Sequence, residues 1–170
     1  MSPSTIQLIR HTFGLLEGRA GIVALLFYQR LFQIAPATRP MFSNDIEAQG
    51  VKLMQMLRTV TTSLDAPESV APMLAEMGQR HATYGVVGEH YDLVGSALLV
   101  TFADVLGKEF TTGARDAWAE AYDWIARIMQ QGLLRPTALK CKFLLTPHSH
   151  IYPARHHDTH PHHRRPASDA

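Results

Sequence analysis

Apolar residues recur at intervals of three and four along most of residues 5–132, and this spacing constrains the fold more than any other feature. An α-helix has 3.6 residues per turn, so the spacing gathers apolar side chains on one helical face, which must be buried. The alternation of apolar and polar residues that is typical of a half-buried strand is not found, nor is an internal repeat. We therefore predict an all-α domain over residues 1–132.

Prolines, glycines and polar segments divide this region into six predicted helices. The first is expected to begin at a cap formed by Ser4 or Thr5. The later helices are expected to begin, in order, after Gly18, near Asp45, after the segment DAPES, near Gly88, and at Thr111 or Thr112. Between the second and third helices, Pro36 and Pro40 permit only a short helical turn, which Phe42 follows.

The spacing also predicts which face of each helix is buried. In the second helix the predicted face is Ile22, Leu25, Leu26, Gln29 and Phe32, with Tyr28 on a neighbouring flank. In the third it is Val51, Leu53, Met54, Leu57, Val60 and Leu64. In the fourth it is Val70, Met73, Leu74, Met77, His81 and Tyr84. In the fifth it is Tyr91, Val94, Leu98, Phe102 and Val105.

Composition excludes several classes of protein. Of the 170 residues, 46% are hydrophobic and 18% charged, which favours one packed domain over disorder. A net charge of +1 gives no electrostatic footprint for nucleic acid. The single cysteine, Cys141, excludes an intramolecular disulfide and fits a reducing compartment. No segment resembles a signal peptide or reaches membrane-spanning length, so we expect a soluble cytoplasmic protein with no membrane partner.

The composition changes at Leu133. The stretch HSHIYPARHHDTHPHHRRPA, residues 148–167, holds seven of the ten histidines of the chain. We predict that residues 133–170 form a disordered His-, Pro- and Arg-rich tail. Two alternatives stay open, a weak site for divalent transition metals or haem, and a segment added to the natural protein.

His81 has two interpretations. A lone histidine on an apolar face is commonly a core residue that is hydrogen-bonded to a backbone carbonyl. A neutral imidazole beside Leu74 and Met77 is also what a flat apolar metal cofactor needs on one side. No second soft ligand lies one turn away, which argues against a zinc site built from protein ligands alone. His90 is interpreted as a partly exposed residue at the start of the fifth helix.

Four other residues are ambiguous when taken alone. Gln49 and Leu53 are four positions apart and share a helical face, where they are either ordinary surface residues or part of a ligand pocket. Tyr28 and Phe42 are core aromatics by default. Tyr91 faces the apolar side of the fifth helix, so its hydroxyl needs a partner if it is buried.

Several stretches together resemble the bacterial single-domain globins and the haem domain of flavohaemoglobins. They are FYQRLFQIAP, PMF, EAQGVKLMQML, GQRHATYGV, EHYDLVGSALL and RDAWAEAYDWIA, which recur in family order over residues 5–132. The resemblance implies a globin fold, with six to eight helices packed around a haem b pocket. His81 is then the proximal iron ligand, and Phe42 packs on the haem face.

The resemblance also implies a distal side and a proximal partner. Tyr28 and Gln49 match the tyrosine and glutamine that hydrogen-bond bound oxygen, and Leu53 forms an apolar wall. Gln49 is placed by counting back from His81, whereas an ungapped count from Phe42 gives Lys52, whose charge would need desolvation. Tyr91, Val94 and Leu98 of the fifth helix are expected to contact the cofactor. The acid that accompanies this tyrosine in flavohaemoglobins falls near Arg135, with no carboxylate close by.

These residues favour a globin that binds oxygen reversibly at a five-coordinate haem iron, for oxygen binding, storage or transport, with NO and CO as related ligands. Two distal donors, each worth roughly 1.5–3 kcal/mol, predict slow oxygen release. The alternative is a nitric oxide dioxygenase that uses an external reductase, since no dinucleotide fingerprint follows the globin region. Whether the protein is an enzyme stays open, as does a third possibility, a helical protein without cofactor.

Overall fold

The computed structural model of the chain describes residues 1–42 and 45–133, with Leu133 as backbone only. The predicted tail therefore lies outside the described residues, except that Leu133 closes the last helix. Six α-helices are present here, α1 Pro3–Glu17, α2 Ala20–Ile34, α3 Ile46–Thr62, α4 Ala71–Thr83, α5 Gly88–Leu106 and α6 Thr112–Leu133. Short 3₁₀ helices occupy Pro36–Met41, Pro67–Ser69 and Gly107–Glu109. The described residues contain no strand, which confirms the all-α prediction.

Local sequence explains where these helices begin and end. Ser2, not Ser4 or Thr5, caps α1, because its hydroxyl accepts a hydrogen bond from the Thr5 amide at 3.1 Å and Pro3 occupies the first turn. Asp45 caps α3 in the same way, accepting from the Ala48 amide at 2.8 Å. Gly85, with φ of 83°, turns the chain after α4.

Glycines allow the helices to approach closely. A methyl group on Gly50 of α3 would lie 2.6 Å from the Ala24 side chain of α2. A methyl group on Gly78 of α4 would collide with the backbone of Met129 in α6, and one on Gly132 of α6 would collide with the backbone of Ala75 in α4. The α4–α6 pair is accordingly in extensive contact, and α2 packs on both α3 and α5.

Three predicted faces were partly wrong. The buried face of α2 consists of Val23, Ala24, Phe27, Tyr28 and Leu31. Ile22 and Leu25 are 57% and 60% exposed, because this helix is apolar almost all the way round and its contacts with α3 and α5 select the neighbouring face. Val51 is 54% exposed beside the close α2–α3 crossing at Gly50. Tyr84 is 62% exposed because α4 ends at Thr83.

Two helices that carry predicted site residues, α3 and α4, are not packed extensively on each other. α3 packs on α2 and α1, and α4 packs on α6, but α3 is not in extensive contact with α4 or α5. Along this separation, the apolar side chains of Leu53, Met77 and Val94 are only half-buried. No helix in the described ranges is long and apolar enough to cross a membrane.

Candidate functional site

His81 lies in the last turn of α4 and is half-buried. Its Nδ1 atom is 2.8 Å from the carbonyl oxygen of Met77, one turn earlier. A carbonyl only accepts hydrogen bonds, so Nδ1 carries a proton and donates it. In the neutral form of such a ring, the lone pair is on Nε2. A histidine of the core interior would be fully buried. Partial exposure together with a free Nε2 lone pair is the arrangement that a metal-ligating histidine needs.

The face of α4 that carries His81 differs from the face that packs on α6. The close approaches to α6 are made at Ala75 and Gly78. Leu74, Met77 and His81 follow the adjacent stripe at helical spacing, and Leu74 is completely buried at its inner end. His81 is thus half-buried on the stripe of α4 next to the one that makes the close approaches to α6.

Tyr28 is 5% exposed and is surrounded by aromatic rings. The ring centroids of Phe27, Phe42 and Phe32 lie 4.9, 5.5 and 5.9 Å from its own. The first two rings meet Tyr28 edge to face, the geometry that aromatic quadrupoles prefer. Burial raises the pKa of the Tyr28 hydroxyl to about 12, so the hydroxyl keeps its proton and remains a hydrogen-bond donor at neutral pH. The structure therefore brings Tyr28 and Phe42 into direct contact, although they come from different elements.

The predicted pocket residues of α3 differ from Lys52 in how exposed they are. Gln49 and Leu53 are half-buried, whereas Lys52 is exposed. Leu53 lines a small internal cavity of about 30 Å³ together with the predicted α5 residues Val94 and Leu98. An exposed lysine keeps its charge in water, so the exposure pattern favours Gln49 over Lys52 as the polar residue beside a pocket.

On α5, Tyr91 is buried, and its hydroxyl oxygen has no hydrogen-bond partner within the described residues. Burial raises the pKa of this hydroxyl. The neighbouring Tyr122 of α6 donates a hydrogen bond to the backbone oxygen of Tyr91 at 2.6 Å, so Tyr91 is fixed through its main chain. His90 accepts a 3.2 Å hydrogen bond at Nδ1 from the Val87 amide at the start of α5, which is a helix-capping contact.

Sequence reasoning did not single out several residues that the fold places here. Met56, Leu57, Trp118, Tyr122 and Ile125 complete the lining of the small cavity. Phe32 joins the aromatic cluster around Tyr28. Helical spacing identified most of them as apolar or core positions, but only contacts between distant helices show that they adjoin the predicted site.

A larger groove of about 970 Å³ lies elsewhere, on the outer side of α1, α2 and α3. Glu17 and Arg58 of its lining form an ion pair at 2.7 Å. None of the predicted site residues lines this groove. The groove and the predicted site are therefore lined by different residues.

The residues present fit a haem. Within the described ranges, no group of three His, Cys, Asp or Glu residues could hold a metal ion, so a metal on His81 needs further ligands from a cofactor. The half-buried apolar side chains of α3, α4 and α5 suit a flat apolar macrocycle. The small cavity beside Leu53, of about 30 Å³, cannot by itself hold a porphyrin. The buried Tyr91 hydroxyl on α5 is a further polar group, and it has no hydrogen-bond partner among the described residues.

Comparison with known proteins identifies the family. The globin family model matches residues 25–129, which include every predicted site residue. The chain belongs to the globin family. The globin fold, with its pairwise packed helices around a haem pocket, is the architecture described above.

Among curated relatives, this globin is similar to flavohemoproteins. It is 30% identical to that of Bacillus subtilis (strain 168) over 125 residues and 29% identical to that of Rhizobium meliloti (strain 1021) over 132 residues. These matches cover 72% and 76% of this chain but only 31% and 33% of the relatives. The chain thus spans about a third of the length of the curated relatives that it matches.

Two solved structures are similar over most of their length. One is an engineered carbene transferase made from a candidate nitric oxide dioxygenase of Rhodothermus marinus, with a TM-score of 0.73, 30% identity, and coverage of 82% of this globin and 98% of that chain. The other is a bacterial globin from Campylobacter jejuni, with a TM-score of 0.71, 23% identity, and coverage of 78% and 96%. The second likeness concerns the fold alone.

Proposed function

We propose that this globin holds haem b through His81 and uses it to bind oxygen reversibly, with NO and CO as related ligands. The role that fits this chemistry is oxygen binding, storage or transport. The observation that carries the proposal is the His81–Met77 hydrogen bond, which fixes the ring with its Nε2 lone pair free on a half-buried apolar face. We place the protein in the cytoplasm, where its single cysteine, Cys141, stays reduced.

When bound, haem supplies an iron centre with one coordination position open to a diatomic ligand. His81 would supply the ring nitrogen that holds the iron. The Met77 carbonyl accepts the Nδ1 proton, which fixes both the tautomer and the plane of the ring. Met77 and Leu74 line the same face of the helix and exclude water from the ligating side.

Tyr28 would supply a hydrogen-bond donor to a bound ligand. Its hydroxyl keeps its proton because burial raises its pKa to about 12. Phe42 packs edge to face on the Tyr28 ring at 5.5 Å and keeps the surroundings apolar. In such surroundings a hydrogen bond to a partially charged ligand is stronger than in water, which supports tight binding and slow release. Gln49, half-buried on α3, is proposed as the second donor.

The test is the absorption spectrum of the purified protein. We expect a haem Soret band that changes between ferric, ferrous, oxygen and CO forms, and that is lost in His81→Ala. His90→Ala is the matched control, because His90 caps α5 and is expected to leave haem binding unchanged. If the Soret band survives in His81→Ala and disappears in His90→Ala, the iron ligand is His90 and the proposal is wrong.

A second candidate function is nitric oxide dioxygenation with a separate electron-donating reductase. It is favoured by the likeness to flavohemoproteins and to a candidate nitric oxide dioxygenase. The residues required are the same, because Tyr28 and His81 would hold oxygen for reaction with NO. The difference is the need for an electron donor, which for this chain is proposed as a partner protein.

A further inference from the structure

Two of the rings that contact Tyr28 also contact each other. Phe32 lies one turn after Tyr28 on α2, with ring centroids 5.9 Å apart. Phe42 follows the 3₁₀ helix and lies 5.5 Å from both rings. The three side chains therefore form a closed triangle. A hydroxyl on a buried ring points where the ring points, so the neighbours of the ring set the direction of this donor.

Arg39 holds the outer side of this triangle. Its guanidinium carbon lies 5.0 Å from the centroid of the Phe32 ring, which is within the range of a cation–π contact. Its Nη1 atom donates a 3.4 Å hydrogen bond to the backbone oxygen of Phe42. One side chain thus contacts both residues that flank Tyr28 on this side.

The backbone around Arg39 is stiff. Arg39 belongs to the 3₁₀ helix Pro36–Met41, in which prolines precede and follow it. The Phe42 amide donates to the Arg39 backbone oxygen at 3.2 Å, so the two residues are joined by main chain as well as side chain. Proline fixes φ near −65°, which limits how far Phe42 moves without Arg39.

We propose that Arg39 is a positioning residue for the Tyr28 hydroxyl and thereby sets the rate of ligand release. Arg39 acts through Phe32 and Phe42, not by contact with the ligand. This inference rests on the proposed function, in which Tyr28 donates to the bound diatomic. Loss of the guanidinium frees the two rings, and the hydroxyl then samples directions in which it donates poorly.

The experiment measures oxygen dissociation from the full-length, haem-loaded protein by stopped flow. Arg39→Met keeps the length of the side chain but removes its charge and donors, and is expected to speed release about two- to fivefold, the value of one exposed cation–π contact. Arg39→Lys keeps a cation over Phe32 and is expected to give an intermediate rate. Arg30→Met is the matched control, because Arg30 lies on the same helix as Tyr28 and its guanidinium contacts Asp104 at 2.9 Å.

A double-mutant cycle distinguishes positioning from general loosening. In the Tyr28→Phe background, Arg39→Met is expected to have no further effect on release. The C–O stretching band of the CO form supplies an independent readout, since it reports hydrogen bonding to the ligand, and it is expected to broaden or split in Arg39→Met.

Faster release in Arg39→Met that persists in the Tyr28→Phe background would overturn the proposal, as would equal effects of Arg39→Met and Arg30→Met. If Tyr28→Phe speeds release and Arg39→Met does not, the positioning role is wrong and the proposed function stands. If the wild-type protein holds no haem, both fail together.

Discussion

At the scale of single residues, Tyr28 combines a hydrogen-bond donor with nearly complete burial. It is 5% exposed, and aromatic rings contact its ring on three sides. Burying a hydroxyl among aromatic rings costs free energy unless the hydroxyl is hydrogen-bonded, and a polar ligand would supply such a bond. The residue therefore suits a site where a polar ligand arrives and departs within an apolar pocket.

We expect Tyr28→Phe and Gln49→Leu each to speed oxygen dissociation about ten- to a hundredfold, because each removes a donor worth roughly 1.5–3 kcal/mol. Because burial raises the pKa of Tyr28 to about 12, its proton is lost only as the pH approaches that value. The wild-type rate should consequently stay constant between pH 6 and about 10. Stopped-flow dissociation over this range measures both effects.

Two variants serve as controls for this prediction. Tyr84→Phe changes a tyrosine that is 62% exposed after α4, and should leave the rate unchanged. Lys52→Leu tests the competing alignment on α3, and should also leave it unchanged, since Lys52 is exposed. A large effect of Lys52→Leu with none from Gln49→Leu would show that the ungapped count from Phe42 was correct.

At the scale of the helices, the contact between α4 and α6 holds the helix that carries His81. Its close approach depends on Gly78, where an added methyl group meets the Met129 backbone. We expect Gly78→Ala to lower the free energy of unfolding by about 1–3 kcal/mol, because backbone cannot move aside as a flexible side chain does. Gly14→Ala on α1, where nothing lies within 4 Å, should instead raise it by about 0.5–1 kcal/mol. Urea unfolding of both variants measures the difference, and equal effects would contradict it.

The helices themselves were predictable from the sequence, because prolines, glycines and cap residues act locally. Which face of each helix is buried was less predictable. The spacing identified Met54, Leu57 and Leu98, which have one packing direction, but on α2 it selected Ile22 and Leu25, which are exposed. That helix is apolar all round, and the side that becomes buried depends on α3 and α5, which approach from far along the chain.

The candidate site was likewise predictable only in part. The residues proposed to touch the cofactor or ligand were recognised from motifs, His81 and Tyr28 among them. The contacts that orient them could not be recognised. The role of Arg39 depends on where Phe32 and Phe42 meet in space, and that of Tyr122 on a hydrogen bond to the backbone of Tyr91. Such contacts depend on tertiary packing, which apolar spacing does not encode.

At the scale of the whole molecule, the proposed pocket would suffice to hold a diatomic ligand, whereas repeated oxidation of NO would also require a supply of electrons. Forming nitrate from one NO and one O₂ consumes one electron, which a ferrous iron supplies once. The curated flavohemoprotein relatives are about three times as long as the region that matches this chain. Of the two candidate functions, only repeated NO oxidation therefore requires an electron-donating partner, although both would use the same pocket.

We expect the oxygen-loaded protein to convert about one equivalent of NO to nitrate per haem, by the one-electron balance above, and then to stop. Continued consumption should require an added flavin- or nicotinamide-dependent reductase, and His81→Ala should show neither phase. An NO electrode together with nitrate analysis measures the amounts. If NO consumption continues without a donor, the electron balance is wrong for this protein. If added reductase never extends it beyond the first equivalent, oxygen binding is its function and the dioxygenase is excluded. The number of turnovers per haem therefore distinguishes the two candidate functions. The pocket alone accounts for the first turnover, and a second turnover requires an electron-donating partner.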